Sequence, residues 1–183
     1  MKRRQVVLIQ GAFDILNCGH VRAFRYAKQQ GDYLIVALNS DELIRDYKKR
    51  EPVVPWRQKR EIIEACRHVD QVVKATSFSP LALLRRHHVD VYVISREWLS
   101  TKAEEIAYMQ AKGGRVCISR RFRGVSTTNI KARLLEEHLH AQGEDVRPVA
   151  GDTRGGGSAG RGHGSPSFVN GPSLMAVRPR QSW

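Results

Sequence analysis

The stretch from Gly11 to His20, GAFDILNCGH, constrains the fold of this chain more than any other. It follows an apolar run, Val6 to Ile9, that predicts a buried parallel strand, and it leads into residues with apolar positions at helical spacing. A strand, a glycine-bounded turn and a helix start therefore follow one another. Such a turn directs backbone N–H groups and the positive end of a helix dipole above the strand, where an anion, most often phosphate, is the expected occupant. We expect His20, on the first helical turn, to lie beside that anion.

The charge of the chain also favours anionic partners. Its 183 residues carry a net charge of +13, with a pI near 10.2. Nucleic acid, phosphorylated metabolites and anionic membranes all fit that sign. The three cysteines are far apart and match neither a disulfide framework nor zinc-ligand spacing, which favours a cytoplasmic location. No apolar run is long enough for a signal-peptide core or a membrane span, so we expect no membrane partner.

Strand and helix patterns alternate along the first three quarters of the chain. After the first strand the predicted elements are a helix over 19–30, a strand over 33–38, helices over 41–47 and 56–67, a strand over 69–73, a helix over 80–88, a strand over 89–94, a helix over 99–112, a strand over 115–118 and a helix over 126–140. This alternation predicts right-handed βαβ units. The expected fold is α/β: a Rossmann-like, doubly wound parallel sheet of five strands with helices on both faces. If the first strand is central, the opening motif lies where ligands bind.

The composition changes after residue 142. From 143 to 183, Gly, Ser, Pro and Arg dominate and no periodicity survives, so we predict one domain over 1–142 and a disordered tail over 143–183. The arginines of the tail could contact a polyanion weakly. A nucleic-acid-binding module is not the favoured interpretation, because the other motif cations converge on one predicted crevice instead of spreading along a surface.

Two further stretches carry chemistry. Residues 121–130 combine Arg121 with a Ser126-Thr127-Thr128 run at a helix start, so they offer guanidinium, hydroxyl and backbone N–H groups together. Taken alone, that run is an ordinary helix cap. The other stretch is a basic loop at 48–50 and the helix that follows it, although a run of charges is usually just a solvated face.

These stretches resemble the signatures of the nucleotidylyltransferase superfamily. Residues 11–20 are similar to G-x-F-D-x-x-[H/T]-x-G-H, with Asn17 where other members carry His or Thr, and residues 121–130 are similar to R-T-x-G-[I/V]-S-T-[S/T]-x-I. Residues 67–73 resemble the R-Y-V-D-E-V segment of choline-phosphate and glycerol-3-phosphate cytidylyltransferases, and 91–98 resemble a segment that ends G-D-D-W in the latter. Residues 39–41, 52–53 and 126–130 also resemble the adenylyltransferase domain of ADP-heptose synthase.

The resemblance implies a role for each matching position. The implied catalytic residues are His20, Lys49, Arg121 and Asn17. The implied nucleotide-binding residues are Gly11, Ala12, Phe13, Asp14, Gly19, His20, Arg67, Arg121, Ser126, Thr127 and Thr128. The implied acceptor-binding residues are Lys48, which could also substitute for Lys49, together with Lys59, Glu97 and Trp98. Mg²⁺ is the expected cofactor, with Asp14 as its candidate ligand.

The predicted reaction is transfer of CMP from CTP to a small phosphorylated or phosphonylated alcohol such as glycerol 3-phosphate, with release of pyrophosphate. Alternatives are transfer from ATP to a sugar phosphate, or a catalytically impaired homologue that only binds nucleotide. In either transfer reaction, catalysis consists of aligning two polyanions and stabilising the charge that develops. The resemblance also implies a homodimer.

Overall fold

A computed structural model describes residues 3–119 and 127–142 of the chain. The strands are β1 (Val6–Gly11), β2 (Tyr33–Asn39), β3 (Gln71–Ala75), β4 (Val91–Ser95) and β5 (Arg115–Ser119). The helices are α1 (Cys18–Lys28), α2 (Asp41–Lys48), α3 (Trp56–Glu64), α4 (Leu81–Arg86), α5 (Ala103–Ala111) and α6 (Thr127–Ala141). A compact unit ends at Leu135 and a second begins at Glu136. Of that second unit the structure describes 136–142, where the N–H of Gln142 donates to the carbonyl of His138. The tail predicted over 143–183 lies outside the described residues.

The five strands form one parallel sheet in the order β3-β2-β1-β4-β5. β1 is therefore central, with Val6 opposite Tyr33 of β2 and Val7 opposite Val91 of β4. Because the strand order reverses on either side of β1, the crevice above its carboxyl end is the expected ligand site.

Helices cover both faces of the sheet, and alternate residues of β1 show this directly. Val7 packs in one core cluster with Phe24 of α1 and Ile63 of α3. Leu8 packs in a second cluster with Leu84 of α4 and Met109 of α5. The side-chain period of two thus divides the core into two layers, and the predicted doubly wound α/β fold is confirmed.

Carboxylates hold the amino edge of the sheet. Asp70 accepts a hydrogen bond from the backbone N–H of Leu34, at 2.6 Å, and also pairs with Lys28. Asp90 accepts the N–H of Val6 at 2.9 Å. These bonds satisfy backbone donors at the starts of strands, where no preceding ladder partner exists.

Two predicted helices are shorter in the structure. α3 ends at Glu64 and not at 67, because the chain needs the turn that follows to bring Asp70 to the start of β2. α5 begins at Ala103 and not at 99, because a 3₁₀ helix over Arg96–Thr101 precedes it. Within the described ranges, no helix has the length and apolar character that crossing a membrane requires.

Helix α3 offers a matched test of this packing. Ile63 is fully buried in the first core cluster, whereas its neighbour Ile62 is 47% exposed. Ile63→Ala should lower the free energy of unfolding by about 2–5 kcal/mol, because it leaves a cavity, and Ile62→Ala should change it by less than about 0.5 kcal/mol. Urea unfolding followed by circular dichroism measures both values. Equal effects of the two substitutions would contradict the placement of α3.

Candidate active site

A cleft of about 350 Å³ opens above the carboxyl ends of the strands. The last residues of four strands line it: Gly11 of β1, Asn39 of β2, Ser95 of β4 and Ser119 of β5. The cleft therefore lies at the point where the strand order reverses. Twelve of the residues that the sequence analysis assigned to a site line this one cleft: Gly11, Ala12, Phe13, Asp14, Asn17, Gly19, His20, Lys48, Glu97, Trp98, Thr127 and Thr128.

The turn after β1 is compact and backbone-strained. Phe13 and Ile15 both have positive φ, 44° and 50°, which is unusual for residues with a Cβ. The buried Phe13 ring packs edge-on against Phe24, with centroids 4.9 Å apart, and against His20, at 5.5 Å. A Cβ on Gly11 would lie 2.8 Å from the Phe13 ring, so this close approach requires glycine. The turn thus fixes one side of the His20 ring.

Helix α1 begins with a capping box. Asn17 is the N-cap, and its Oδ1 accepts the N–H of Gly19 at 3.0 Å. Nδ1 of His20 accepts the backbone N–H of Asn17 at 3.4 Å. Burial lowers the pKa of His20, the ammonium of Lys48 lowers it further, and the Asp14 carboxylate opposes them. His20 is therefore a neutral ring near pH 7, with Nε2 as its donor. The amide of Gly19, predicted to face an anion, donates to Asn17 instead.

Asp14 is buried, and its carboxylate ties three segments together. Oδ1 accepts the backbone N–H groups of Val53, at 3.0 Å, and Val54, at 3.1 Å. Oδ2 lies 3.8 Å from Arg50 and 3.5 Å from Lys131 of α6. Burial alone would raise the pKa of Asp14, but the N–H groups of Val54 and Val53 and the nearby lysines outweigh it and lower that pKa.

The two oxygens of Asp14, the predicted magnesium ligand, differ in their surroundings. Oδ1 accepts two N–H groups, whereas Oδ2 faces two cations and is buried with no hydrogen-bond partner among the described residues. Among residues 3–119 and 127–142, no group of three His, Cys, Asp or Glu side chains could hold a metal ion. The structure thus places Asp14 as an anchor between segments, and its part in holding Mg²⁺ stays a prediction; this ion is commonly bound by one or two carboxylates together with substrate phosphates.

Only some of the predicted basic site residues line the cleft. Lys48, the last residue of α2, lines the cleft; burial of its ammonium and the guanidinium of Arg50 lower its pKa. Lys49 is exposed, has φ 52° as the C-cap of α2, and is not among the lining residues. Lys48, predicted as a possible substitute for Lys49, therefore lines the cleft in place of its neighbour.

Two other predicted contacts are not met. Lys59 is 2% exposed and pairs with Asp41 at 3.1 Å, so its ammonium serves the packing of α3 on α2 and does not line the cleft. Arg67 is exposed in the turn before β3. Since all strands are parallel, this turn lies at the amino edge of the sheet, opposite the cleft. Neither residue is placed to contact the phosphates that the sequence analysis assigned to it.

The start of α6 completes one wall of the cleft. Thr127 and Thr128 line it, and the hydroxyl of Thr127 donates to the backbone carbonyl of Asp14 at 2.8 Å. The hydroxyl of Thr127 is thus used in holding α6 against the turn after β1. Arg121 and Ser126, which the sequence analysis placed beside these threonines, lie outside the described residues.

The opposite wall is aromatic. Trp98 packs edge-on against Phe78, with centroids 5.2 Å apart, and Phe78 packs against Tyr47 at 5.6 Å. Lys102 is nearly buried, pairs with Glu105 at 3.6 Å and places its ammonium 3.7 Å from the centre of the Phe78 ring. Glu97 lies on the same rim of the cleft.

Sequence reasoning missed several residues of the cleft. Gln10, at the end of β1, donates through Nε2 to Oδ1 of Asn39, at 3.0 Å, and to the carbonyl of Ser77, at 2.9 Å. Its Oε1 is buried with no hydrogen-bond partner among the described residues. The strand-end rule could have found Gln10 and Asn39, which are polar residues at the carboxyl ends of two adjacent strands. No local signal marks Phe78.

Known proteins are similar to this chain in sequence. A family model described as cytidylyltransferase-like matches residues 8–133. Glycerol-3-phosphate cytidylyltransferase from Staphylococcus aureus is 33% identical over 135 residues, which are 73% of this chain and 96% of that protein. The bifunctional protein HldE from Hydrogenovibrio crunogenus is 35% identical over 142 residues, 75% of this chain and 29% of that protein. A probable ethanolamine-phosphate cytidylyltransferase from Encephalitozoon cuniculi is 37% identical over 90 residues.

The matched regions differ greatly in their share of these relatives. The match covers 49% of this chain but 28% of the Encephalitozoon protein, and less than a third of HldE, whereas it covers nearly all of the staphylococcal protein. The family model spans well over half of this chain, from within β1 to within α6, and so includes every described residue of the motifs. The chain therefore belongs to the cytidylyltransferase-like family of nucleotidyltransferases.

Proposed function

We propose that this chain transfers CMP from CTP to a small phosphorylated alcohol such as glycerol 3-phosphate and releases pyrophosphate. The observation that carries the proposal is that His20, Lys48 and the threonines at the start of α6 face one cleft at the strand carboxyl ends. Similarity to glycerol-3-phosphate cytidylyltransferase over nearly that protein's whole length supports the acceptor. The predicted homodimer and the requirement for Mg²⁺ stay predictions.

The reaction needs no protein nucleophile. An oxygen of the acceptor phosphate attacks the α-phosphorus of the nucleotide, and the bond from that phosphorus to the oxygen bridging to the β-phosphate breaks. The electron pair leaves with pyrophosphate. The protein must therefore align two polyanions and stabilise the charge that builds on the phosphoryl oxygens.

The donors of the cleft suit that task in different ways. The neutral ring of His20 donates a single hydrogen bond from Nε2, while the Lys48 ammonium adds a positive charge and several donors. His20 is half-buried, so its hydrogen bond to a phosphate oxygen is stronger than it would be at the surface, whereas Lys48 is exposed and contributes mainly its charge. We assign His20 and Lys48 to the developing charge and Thr128 to positioning of the triphosphate.

The other end of the cleft suits a small acceptor that bears hydroxyl groups. The amide of Gln10 cannot flip, because the Ser77 carbonyl that it contacts can only accept a hydrogen bond. Oε1 is therefore held as a buried acceptor that lacks a donor. We assign it to a hydroxyl group of the acceptor. The cleft volume, near the lower end of the range for ligand pockets, also favours a small molecule.

A second candidate reaction uses ATP and a sugar phosphate. It is favoured by the match to HldE, which extends over 142 residues of this chain at 35% identity. A sugar phosphate also carries hydroxyl groups, so the Gln10 argument applies to it as well. The two reactions differ in nucleotide base and in acceptor size, and an assay of both separates them.

The first test is pyrophosphate release by the full chain with Mg²⁺, with CTP or ATP, and with a panel of alcohol and sugar phosphates. We expect release with CTP and glycerol 3-phosphate, and a loss of about a hundredfold or more in His20→Ala, because one donor to the transition state is removed. Release with ATP and a sugar phosphate alone would favour the second candidate. Binding of nucleotide by calorimetry without release across the panel would contradict both reactions.

Two adjacent lysines provide a matched test of the site. Lys48→Met should lower kcat about 10²–10³-fold, the range for loss of one transition-state donor, whereas Lys49→Met should leave kcat within about twofold. Both substitutions remove one positive charge and keep a similar side-chain length, so the net charge of the two variants is equal. Initial rates over a range of nucleotide concentrations give kcat and KM. A larger loss in Lys49→Met would show that the sequence-based assignment was right.

The role assigned to Gln10 at the acceptor end of the cleft can be tested separately. Gln10→Leu should raise KM for the acceptor about 5- to 100-fold, because a hydrogen bond in a buried place is lost, and should leave KM for the nucleotide unchanged. Gln58→Leu, on the exposed surface of α3, is the control for the change in side chain. If both Michaelis constants rise together in Gln10→Leu, the residue supports the whole cleft and has no specific role at the acceptor.

A further inference from the structure

Asn17 stands where other members of the family carry His or Thr, and its contacts give it a task within the loop. Its Oδ1 accepts the N–H of Gly19, and its Nδ2 donates to the carbonyl of Ile15 at 3.2 Å. Its backbone carbonyl accepts the N–H groups of His20, at 3.0 Å, and Val21, at 3.2 Å. Both ends of the side-chain amide are thus engaged in the turn and in the first turn of α1.

The hydrogen bond from Asn17 to Ile15 stabilises a strained part of the turn. Ile15 has φ 50°, a conformation that a β-branched residue rarely adopts. Its carbonyl is held by Asn17 Nδ2, so the amide stabilises the strained part of the turn. The opposite oxygen of the same amide caps α1. One side chain therefore joins the strained loop to the helix that carries His20.

The backbone N–H of Asn17 is aimed at His20. Nδ1 of His20 accepts it at 3.4 Å, and a ring nitrogen that accepts a hydrogen bond carries no proton. In a neutral ring the proton is then on Nε2. Phe13 packs edge-on against the same ring, which limits its rotation. The direction of the Asn17 N–H depends on the turn that the Asn17 side chain holds.

We propose that Asn17 is a positioning residue that sets the neutral tautomer of His20, with the proton on Nε2 available to a phosphate oxygen. The effect on catalysis rests on the function proposed above, whereas the tautomer itself does not.

On balance, the surroundings of His20 favour its neutral form. Burial and the Lys48 ammonium, on α2, lower the pKa of His20, and Asp14, in the turn after β1, raises it by less. Because the pKa of His20 is lowered from the usual imidazole value near 6.5, its ring stays neutral to a more acid pH than a free imidazole does. The ring becomes charged only below that pH. A charged ring would present an N–H to the Asn17 N–H, and that contact would have to break.

The test uses the full chain labelled with ¹⁵N-histidine. Two-bond ¹H–¹⁵N spectra distinguish a protonated from an unprotonated ring nitrogen, and His20→Gln identifies the signals of His20 among the seven histidines. We expect Nδ1 unprotonated and Nε2 protonated in the wild type at pH 7. In Asn17→Ala we expect a mixture of tautomers and an upward shift of the His20 titration. Nδ1–H in the wild type, or unchanged spectra in Asn17→Ala, would overturn the proposal.

Two further variants separate orientation from general damage. Asn17→Thr keeps a neutral N-cap oxygen and should restore most of the wild-type tautomer, whereas Cys18→Ala, an exposed neighbour, should change nothing. Thermal melts show whether each variant is folded. Failure of Asn17→Thr to differ from Asn17→Ala, with both folded, would contradict the capping role.

Kinetics then connect the tautomer to catalysis. In Asn17→Ala, kcat should fall about 10- to 100-fold, as for loss of an orienting partner, and the acid limb of its pH profile should move to higher pH. KM for the nucleotide should change less than kcat. If the spectra agree with the proposal and no variant, wild type included, releases pyrophosphate, the proposed function has failed and the assignment of Asn17 stands. Unchanged kcat in Asn17→Ala with an altered tautomer would overturn the catalytic part.

Discussion

The buried carboxylate of Asp14 is the interaction on which the cleft depends. It joins the turn after β1 to the backbone at Val53 and Val54, and to Lys131 of α6, segments that are far apart in sequence. A buried carboxylate without partners would be costly, so the N–H groups and cations around it are needed for the fold itself. Some of the positive charge that suggested polyanionic partners therefore serves an internal anion.

Asp14 holds two walls of the cleft in place. Arg50 lies 3.8 Å from Asp14, and the hydroxyl of Thr127 donates to the Asp14 carbonyl. The basic loop and the start of α6 thus meet the same residue from two sides. A phosphate entering the cleft encounters donors whose positions are already fixed, which lowers the reorganisation needed when charge develops.

The sequence predicted the fold well, because alternation of strand and helix patterns is local and strand topology follows general rules. The cleft above Gly11 followed from those rules on the condition that β1 is central, and the strand order meets that condition. Which basic residues line the cleft could not be predicted from those rules. Lys48 and Lys49 are adjacent, and the end of α2 with its left-handed C-cap at Lys49 decides which of them lines the cleft. The pair formed by Lys59 and Asp41 joins residues on two helices, which no local pattern marks. Arg67 was predictable in principle, since it precedes a parallel strand.

The positive charge of Lys48 explains why a neutral residue at Asn17 suits this site. A cationic His20 beside Lys48 would place two like charges in a partly buried cleft, and each would make protonation of the other harder. A neutral ring at His20, held by a neutral residue at Asn17, leaves Lys48 to carry the charge. Under the proposed function, the site separates two tasks: the ring supplies a directed hydrogen bond, and the ammonium supplies a positive charge. Such a division needs a fixed tautomer, because a neutral ring turned the other way would present a lone pair to phosphate.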